Sequence, residues 1–406
     1  MSNLIAASSY CDSVFDGTHD TPKSVSKGKL LITSKHISGG TLDVSSAYLI
    51  SEEDYVSIQK RSAVSQWDIL FSMIGSVGEI YLEMNGDVPY AIKNMGVFSC
   101  NNEYKAKWLY YYLRSPAAQS HINRYLNGAV QKFLPLGALR DFPVIPFNDE
   151  KKALVKVLEV LDAKITCNNH INAELEAMAK TLYDYWFVQF DFPDANGKPY
   201  KSSGSKMVYN PTLKREIPAG WRDDSLWEIA RYFNGLPMQK HRPKGSEYLP
   251  VIKIKEMGEG ISDSSEKASP DIPRDAIVVD GDVLFSWSAT LDVKIWSQGK
   301  GALNQHIFKV TSDKYPKTFY YFELLAYLAH FKMMAEKRKT TMGHITQDHL
   351  KQSRICIPPT ELLSRAHEQI EPILKNHLLH EKENQHLSQL RDWLLPMLMN
   401  GQVTVV

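Results

Sequence analysis

Between residues 150 and 189 the apolar positions recur by fours and threes. They run Leu154, Leu158, Leu161, Ile165, then polar Asn168 and Asn172, then Leu175, Ala179, Leu182 and Trp186. This spacing is a heptad seam on one helix face. A shift of 212 residues yields Ala366, Ile370, Ile373, His377, His380, Asn384, Leu387, Arg391, Leu394 and Leu398, the same rhythm with a polar centre. Pro372 and Pro396 fall toward the two ends of that second stretch, where a lost amide is least damaging. Neither stripe can be buried alone. Because each is apolar at both ends and polar in the middle, antiparallel pairing sets Leu against Leu outside and Asn against His or Asn at the centre, a layer that fixes register. The first seam would extend ~48 Å at helical rise.

Outside these stretches the pattern is mixed. "LLITSKHI" (30–37) and "DAIVVDGDVLFSW" (275–287) are β-branched runs bounded by Gly, Ser and Asp, and predict strands. "EYKAKWLYYYLRSPAAQSHINRYL" (103–126) and "KTFYYFELLAYLAHFKMMAEKRK" (317–339) carry helical periodicity. Their aromatic runs are expected to be core and not stacking platforms for bases.

The pattern occurs twice. "WDILFS" (67–72) returns as "GDVLFS" (281–286), 214 positions later. "VFDGTHDTP" (14–22) faces "YFNGLPMQK" (232–240), "LLITSKHI" (30–37) faces "PVIKIKEM" (250–257), and "KNMGVF" (93–98) faces "LNQHIF" (303–308). "WLYYYL" (108–113) faces "TFYYFE" (318–323), and "FPVIPF" (142–147) faces "RICIPP" (354–359), each just before a long helical pattern. Unbroken order with nearly constant offset predicts an internal duplication. The stretch 192–221, dense in Pro, Gly, Ser and Asn, is expected to connect the copies.

Composition narrows the class. The 406 residues, 43% hydrophobic and 23% charged, suit a folded protein of two or three domains. The greasiest run (319–331) is interrupted by Glu323 and His330 and is shorter than the ~20 residues of a membrane helix. With no basic start followed by an apolar core, no secretory signal is expected, so the default location is cytoplasmic. Cys11, Cys100, Cys167 and Cys356 lie far apart without a CxxC pair, which argues against a zinc ribbon or a disulfide framework. A net charge of +1 gives no global sign of a polyanion partner. The first copy (1–148) holds 13 Lys and Arg against 13 Asp and Glu, and the second (217–358) 20 against 17, so any nucleic-acid affinity must come from local patches.

Catalytic signatures are missing or weak. No Asn/Asp-Pro-Pro-aromatic stretch for a flipped adenine and no P-loop occur. Asp141, Glu150 and Lys152 imitate a metal nuclease, but the second copy has no counterpart. Asp16, His19 and Asp20 could bind a metal, but a Gly-containing turn is the expected reading.

Several of these phrases together resemble the specificity (S) subunits of type I restriction-modification enzymes, across essentially the whole chain. They are "FDGTHDTPK" (15–23), "GDVLFS" (281–286), "NGAVQKFLPLGAL" (127–139), "TTMGHITQDHL" (340–350), the "IPF" and "IPP" exits into long helices, and "IPAGW" (217–221) opening the second half. The resemblance implies an α+β fold of two repeated α/β target-recognition domains separated by an antiparallel coiled coil of two long helices. The implied boundaries are 1–148 and 217–359 for the domains, 149–190 and 360–401 for the helices, and 191–216 for a linker. It further implies a non-catalytic subunit whose domains read the two parts of a split, asymmetric sequence in double-stranded DNA. Methyltransferase (modification) subunits would dock on the helices and restriction subunits would join them. S-adenosylmethionine, ATP and Mg2+ would belong to those partners, leaving this chain without a cofactor. One departure is Trp67 where the second copy has Gly281, which puts a tight turn there in doubt.

Candidate DNA contacts follow from residue type. In the first copy they are Thr18, His19, Lys23, Lys35, Ser72, Gln131 and Lys132, with Lys27 and Lys29 nearby. In the second they are Lys240, His241, Arg242 and Lys244, then Lys253 and Ser286, then Arg338, Lys339, Thr340, Thr341 and His344. Arg and Lys would hold guanine, Gln adenine, and Ser and Thr the phosphates. The competing functions are a coiled-coil scaffold for proteins without DNA, and the specificity region of a fused restriction-modification enzyme.

Overall fold

Heptad spacing and strand alternation both become three-dimensional in the computed structural model, which describes residues 4–126, 133–337 and 344–403. The chain forms two compact units, one of residues 1–165 with 386–406, the other of residues 166–385.

Unit 1 is built on a four-stranded antiparallel sheet. In chain order its principal elements are β1 (Ser13–Asp16), β2 (Lys29–Ile32), helix α1 (Glu52–Ser62), β3 (Asp68–Ser72), β4 (Ile80–Leu82), β5 (Tyr90–Ile92), β6 (Met95–Ser99) and helix α2 (Glu103–Arg114). The sheet order is β1-β6-β3-β4, while β2 pairs in parallel with β5 in a smaller sheet beside it. Ile69, Phe71 and Phe98 point from the main sheet onto Trp108, Leu109 and Leu113 of α2, all buried. The aromatic run of α2 is therefore core, as its spacing predicts. The long helix α3 (Lys152–Tyr183) begins here, and its first turns bury Leu154, Val155 and Leu158 against the same cluster.

Unit 2 repeats the plan. The strands of its two main sheets that match unit 1 are β7 (Arg231–Asn234), β8 (Leu249–Ile252), β9 (Val283–Ser286), β10 (Asp292–Ile295), β11 (Gly301–Leu303) and β12 (Ile307–Thr311), followed by helix α4 (Lys317–Lys337) and the second long helix α5 (Thr360–Met399). The sheet order β7-β12-β9-β10 mirrors that of unit 1, and β8 again pairs in parallel with β11. Phe319, Phe322 and Phe331 of α4 are buried. Glu323, which interrupts that greasy run, accepts a hydrogen bond from the Tyr183 hydroxyl at 2.7 Å, and desolvation pushes its carboxyl up to about 7. The stretch expected to be a linker is folded into this unit. Met207–Asn210 and Arg215–Pro218 form a hairpin, and Phe192 stacks on Tyr200 and Trp221.

The repeated phrase now has a physical reading. Asp68 and Asp282 accept the backbone N–H groups of Ser65 and Val279 and so close the turn that enters the central strand. Phe71 and Phe285 then fill the core at 0% exposure. The tight turn is kept in both copies: Trp67 adopts φ +72°, matching Gly281 at +90°. The doubt raised by Trp67 is thus corrected. Its indole, stacked under the Lys107 ammonium at 5.1 Å and packed on the core, offsets part of the left-handed backbone strain.

Helices α3 and α5 pack together, and no seam position named from the heptads is exposed. Within unit 2, Asn168 Nδ2 donates to Asn384 Oδ1 at 2.9 Å, while Asn172 Oδ1 lies 3.2 Å from His380 Nδ1. As numbering rises by four on one helix it falls by four on the other, which makes the pair antiparallel. Within unit 1, Leu158 shares a core with Leu395 and Leu398, and Arg391 donates to Asp162 at 2.8 Å. The described helices include none long and apolar enough to cross a membrane.

Candidate nucleic-acid interface

Strand register decides which loops meet. In unit 1, Asp16 pairs with Gly96 and Ser72 with Met95, so the chain leaves β1 and β3 and enters β6 at one end of the sheet. Because β2 runs parallel to β5, with Ile32 opposite Ile92, residues after Ile32 arrive at that same end. Loops 17–21, 33–36, 73–78 and 93–94 therefore gather there, tied by backbone bridges Thr18–Lys93 and Ile74–Phe133. Unit 2 does the same. Asn234 opposite Phe308, Ser286 opposite Ile307 and Ile252 opposite Leu303 bring 235–237, 253–254, 287–291 and 304–306 together, with bridges Leu236–Asn304 and Ser288–His344.

A glycine makes each gathering possible. A Cβ on Gly17 would lie 2.5 Å from the Ile92 carbonyl oxygen, and one on Gly235 2.2 Å from that of Asn304. Only glycine lets the two backbones approach so closely.

In unit 1 the main-chain N–H of Thr18 donates to the Ile92 carbonyl at 3.1 Å, and its hydroxyl accepts from the Asp20 N–H at 3.2 Å. His19 lies exposed between two acceptors, with Nε2 2.9 Å from Asp16 Oδ2 and Nδ1 2.9 Å from Asn94 Oδ1. The other Asp16 oxygen accepts from Arg61 of α1 at 3.0 Å. Asp16 is 12% exposed in its side chain, whereas Arg61 is 62% and His19 56%, so a buried carboxylate presents two donors to solvent. Lys35 is exposed on the single turn Ser34–His36. That turn is fastened by His36 Nδ1, which accepts the Thr33 N–H at 2.9 Å, and desolvation lowers the His36 pKa and keeps the ring neutral for this task. Lys23 is exposed in the stretch between β1 and β2. The Lys93 ammonium bonds the Thr21 hydroxyl.

Unit 2 furnishes the same positions differently. Asn234 stands at the Asp16 position and accepts from Trp287 Nε1 at 3.0 Å. Trp287 also packs beside His306 and the exposed His344, with ring centroids 5.7 and 5.5 Å away. Lys253 leads into the helical turn Ile254–Glu259; its N–H donates to Glu256 at 3.2 Å and its ammonium pairs with Glu266. The basic run from Lys240 to Lys244 is placed elsewhere. The His241 carbonyl takes the N–H of Ser269, a residue that follows the strand paired with the start of β8, whereas Lys253 follows its end. Lys240, Arg242 and Lys244 are exposed there and His241 half-buried.

Two expected contacts are corrected. Ser72 and Ser286 are 0% exposed, and their hydroxyls donate to backbone carbonyls of Ile74 and of Ser288 and Thr290. They shape the loops and have no surface to offer a phosphate. Gln131, Lys132, Arg338, Lys339, Thr340 and Thr341 lie outside the described residues; each run is flanked by a bridged residue, Phe133 or His344, at the sheet end. Residue types alone did not single out Arg61 or Trp287. Arg61 is 45 positions from Asp16, and no local pattern links them. Among the described residues no group of three or more His, Cys, Asp or Glu is arranged to hold a metal ion.

Comparison with known proteins agrees with this duplicated plan. The family described as "Type I restriction modification DNA specificity domain" matches residues 23–177 and again 218–389. The Type I restriction enzyme MjaIX specificity subunit of Methanocaldococcus jannaschii is 23% identical over 314 residues, covering 74% of this chain and 69% of that protein. The HindI specificity subunit of Haemophilus influenzae is 21% identical over 406 residues, covering 85% and 88%. The crystal structure of the S subunit from M. genitalium shares the fold, with a TM-score of 0.52 at 13% identity over 98% of this chain and 95% of that one. Two family matches, two units of the same topology and two long helices packed together lead to one conclusion: the chain belongs to the type I restriction-modification DNA specificity family, as a non-catalytic specificity subunit.

Proposed function

We propose that each unit reads one half of a split, asymmetric site in double-stranded DNA, using the loops gathered at its sheet end. The observation that carries this is the duplication of that loop set on the same topology with different side chains: Asp16, His19 and Arg61 in one unit, Asn234 and Trp287 in the other. A shared scaffold with different reading groups suits two half-sites of different sequence. One loop cluster reaches only a few base edges, so two are needed for a long site. The helices α3 and α5 would set the spacing between the halves and dock methyltransferase subunits, with restriction subunits joining them. S-adenosylmethionine, ATP and Mg2+ would serve those partners.

The test is to co-express the chain with its methyltransferase, purify the assembly, methylate genomic DNA and sequence the modified adenines. A single motif in two parts with a fixed unread gap is expected. A contiguous motif would remove the division of labour between units. Methylation without sequence preference would favour a protein-binding scaffold instead.

A further inference from the structure

We propose that Arg61 reads a guanine in the half-site of unit 1, and that Asp16 is the positioning residue that aims it. This rests on the DNA-reading role proposed above. An exposed arginine is ordinarily a mobile side chain that loses rotamer entropy on meeting a base. Arg61 differs because one nitrogen of its guanidinium donates to a carboxylate at 3.0 Å, and that carboxylate is itself nearly buried at the end of β1. The backbone of β1 is held by β6 on one side, and Gly17 locks the next residue against Ile92, so Asp16 is a fixed anchor.

A guanidinium carries five N–H donors in a planar fork. One is engaged by Asp16, and 62% of the side chain faces solvent at the sheet end where the loops meet. The remaining donors match the paired acceptors N7 and O6 of guanine in the major groove, the pattern for which a fork is suited and an ammonium is not. His19 takes the second oxygen of the same carboxylate and prevents it from swinging away from Arg61. Unit 2 has Asn234 and Pro237 at the positions of Asp16 and His19, so it lacks the carboxylate needed to hold an arginine in this way. A guanine requirement set by an arginine anchored in this way therefore belongs to the half read by unit 1.

The experiment uses the full chain in its methyltransferase complex and duplex libraries randomised across both halves of the motif. Wild type is expected to demand a G·C pair at one position of the half read by unit 1. Arg61→Ala and Arg61→Lys should both relax that position, with discrimination falling about 10- to 100-fold, while the other half stays unchanged. Asp16→Asn should keep the same preferred base with reduced discrimination. Retention of binding to a non-specific duplex by Arg61→Lys, with an unaltered salt dependence, would mark the lost interaction as base reading. An unchanged motif in Arg61→Ala would overturn the proposal, as would a uniform loss across all sequences that Lys restores, because that is phosphate contact. A wild-type complex that selects no motif would instead sink the DNA-reading role itself.

Discussion

Gly17 and Gly235 show how little room the two sheet ends leave. Each allows a loop backbone to pass a neighbouring carbonyl at a separation that no side chain tolerates. Gly281 is needed for a different reason. A Cβ there would meet nothing closer than 3.8 Å, so its demand is the left-handed φ of +90° and not space. The two causes predict different penalties. Gly17→Ala or Gly235→Ala should destabilise the protein by roughly 2–3 kcal/mol through forced backbone displacement and disturb DNA binding. Gly281→Ala should cost about 1 kcal/mol, the strain of a positive φ alone, and leave binding intact. Urea unfolding with a binding assay on each variant checks both; equal losses for all three would mean that the close approach is unimportant. Trp67 supports the second estimate, since a large side chain already occupies the equivalent φ of +72°.

At the scale of the helices, the seam is two layers of different chemistry. Asn168 and Asn172 are buried in unit 2 and bonded to Asn384 and beside His380. In unit 1 the seam position Arg391 is held by Asp162, whose other oxygen accepts from Arg114 of α2 at 3.3 Å. Asp162 therefore joins three helices, α2, α3 and α5. Its removal leaves two arginines, 22% and 15% exposed in their side chains, without their shared carboxylate. Asp162→Ala should cost about 2–4 kcal/mol, below the full penalty of a buried pair because a quarter of the aspartate is still wet. Arg391→Leu should be close to neutral, because Arg114 keeps Asp162 paired and leucine suits a heptad seam. Denaturant midpoints of the two variants decide this, and a larger loss for Arg391→Leu would contradict the assignment of Asp162 as the hub.

For the molecule as a whole, both long helices run from one unit's residues into the other's, α3 across positions 165–166 and α5 across 385–386. Under the proposed function their length fixes the unread gap. One heptad adds ~10.5 Å of helix, close to three base-pair steps of ~3.4 Å. Inserting a heptad in α3 between Ile165 and Leu175, with a matching heptad between His377 and Leu387 of α5, should lengthen the gap by about three base pairs while both half-motifs stay the same. Sequencing of the methylated sites reads this directly. An unchanged gap would show that something other than helix length sets the spacing.

Much of this fold was legible along the chain, because helical and strand periods repeat within a few residues and a duplicated domain repeats its phrases. The heptad positions, the polar centre of the seam and the paired strand phrases were all determined locally, whereas the antiparallel sense is read from the Asn168–Asn384 and Asn172–His380 contacts. The candidate site was legible only in part. Thr18, His19, Lys35, Lys253 and His344 do arrive at the sheet ends, where strand register brings the loops together. Ser72 and Ser286, the last residues of β3 and β9, matched the exposed Ser and Thr in residue type, yet burial turned their hydroxyls inward. The Asp16–Arg61 contact, the Trp287–Asn234 contact and the Asp162 hub join residues 45 to 229 positions apart. Sequence fixes periodicity because neighbouring residues share a backbone geometry; only tertiary packing decides which distant side chains meet, which are desolvated, and which are left facing a partner.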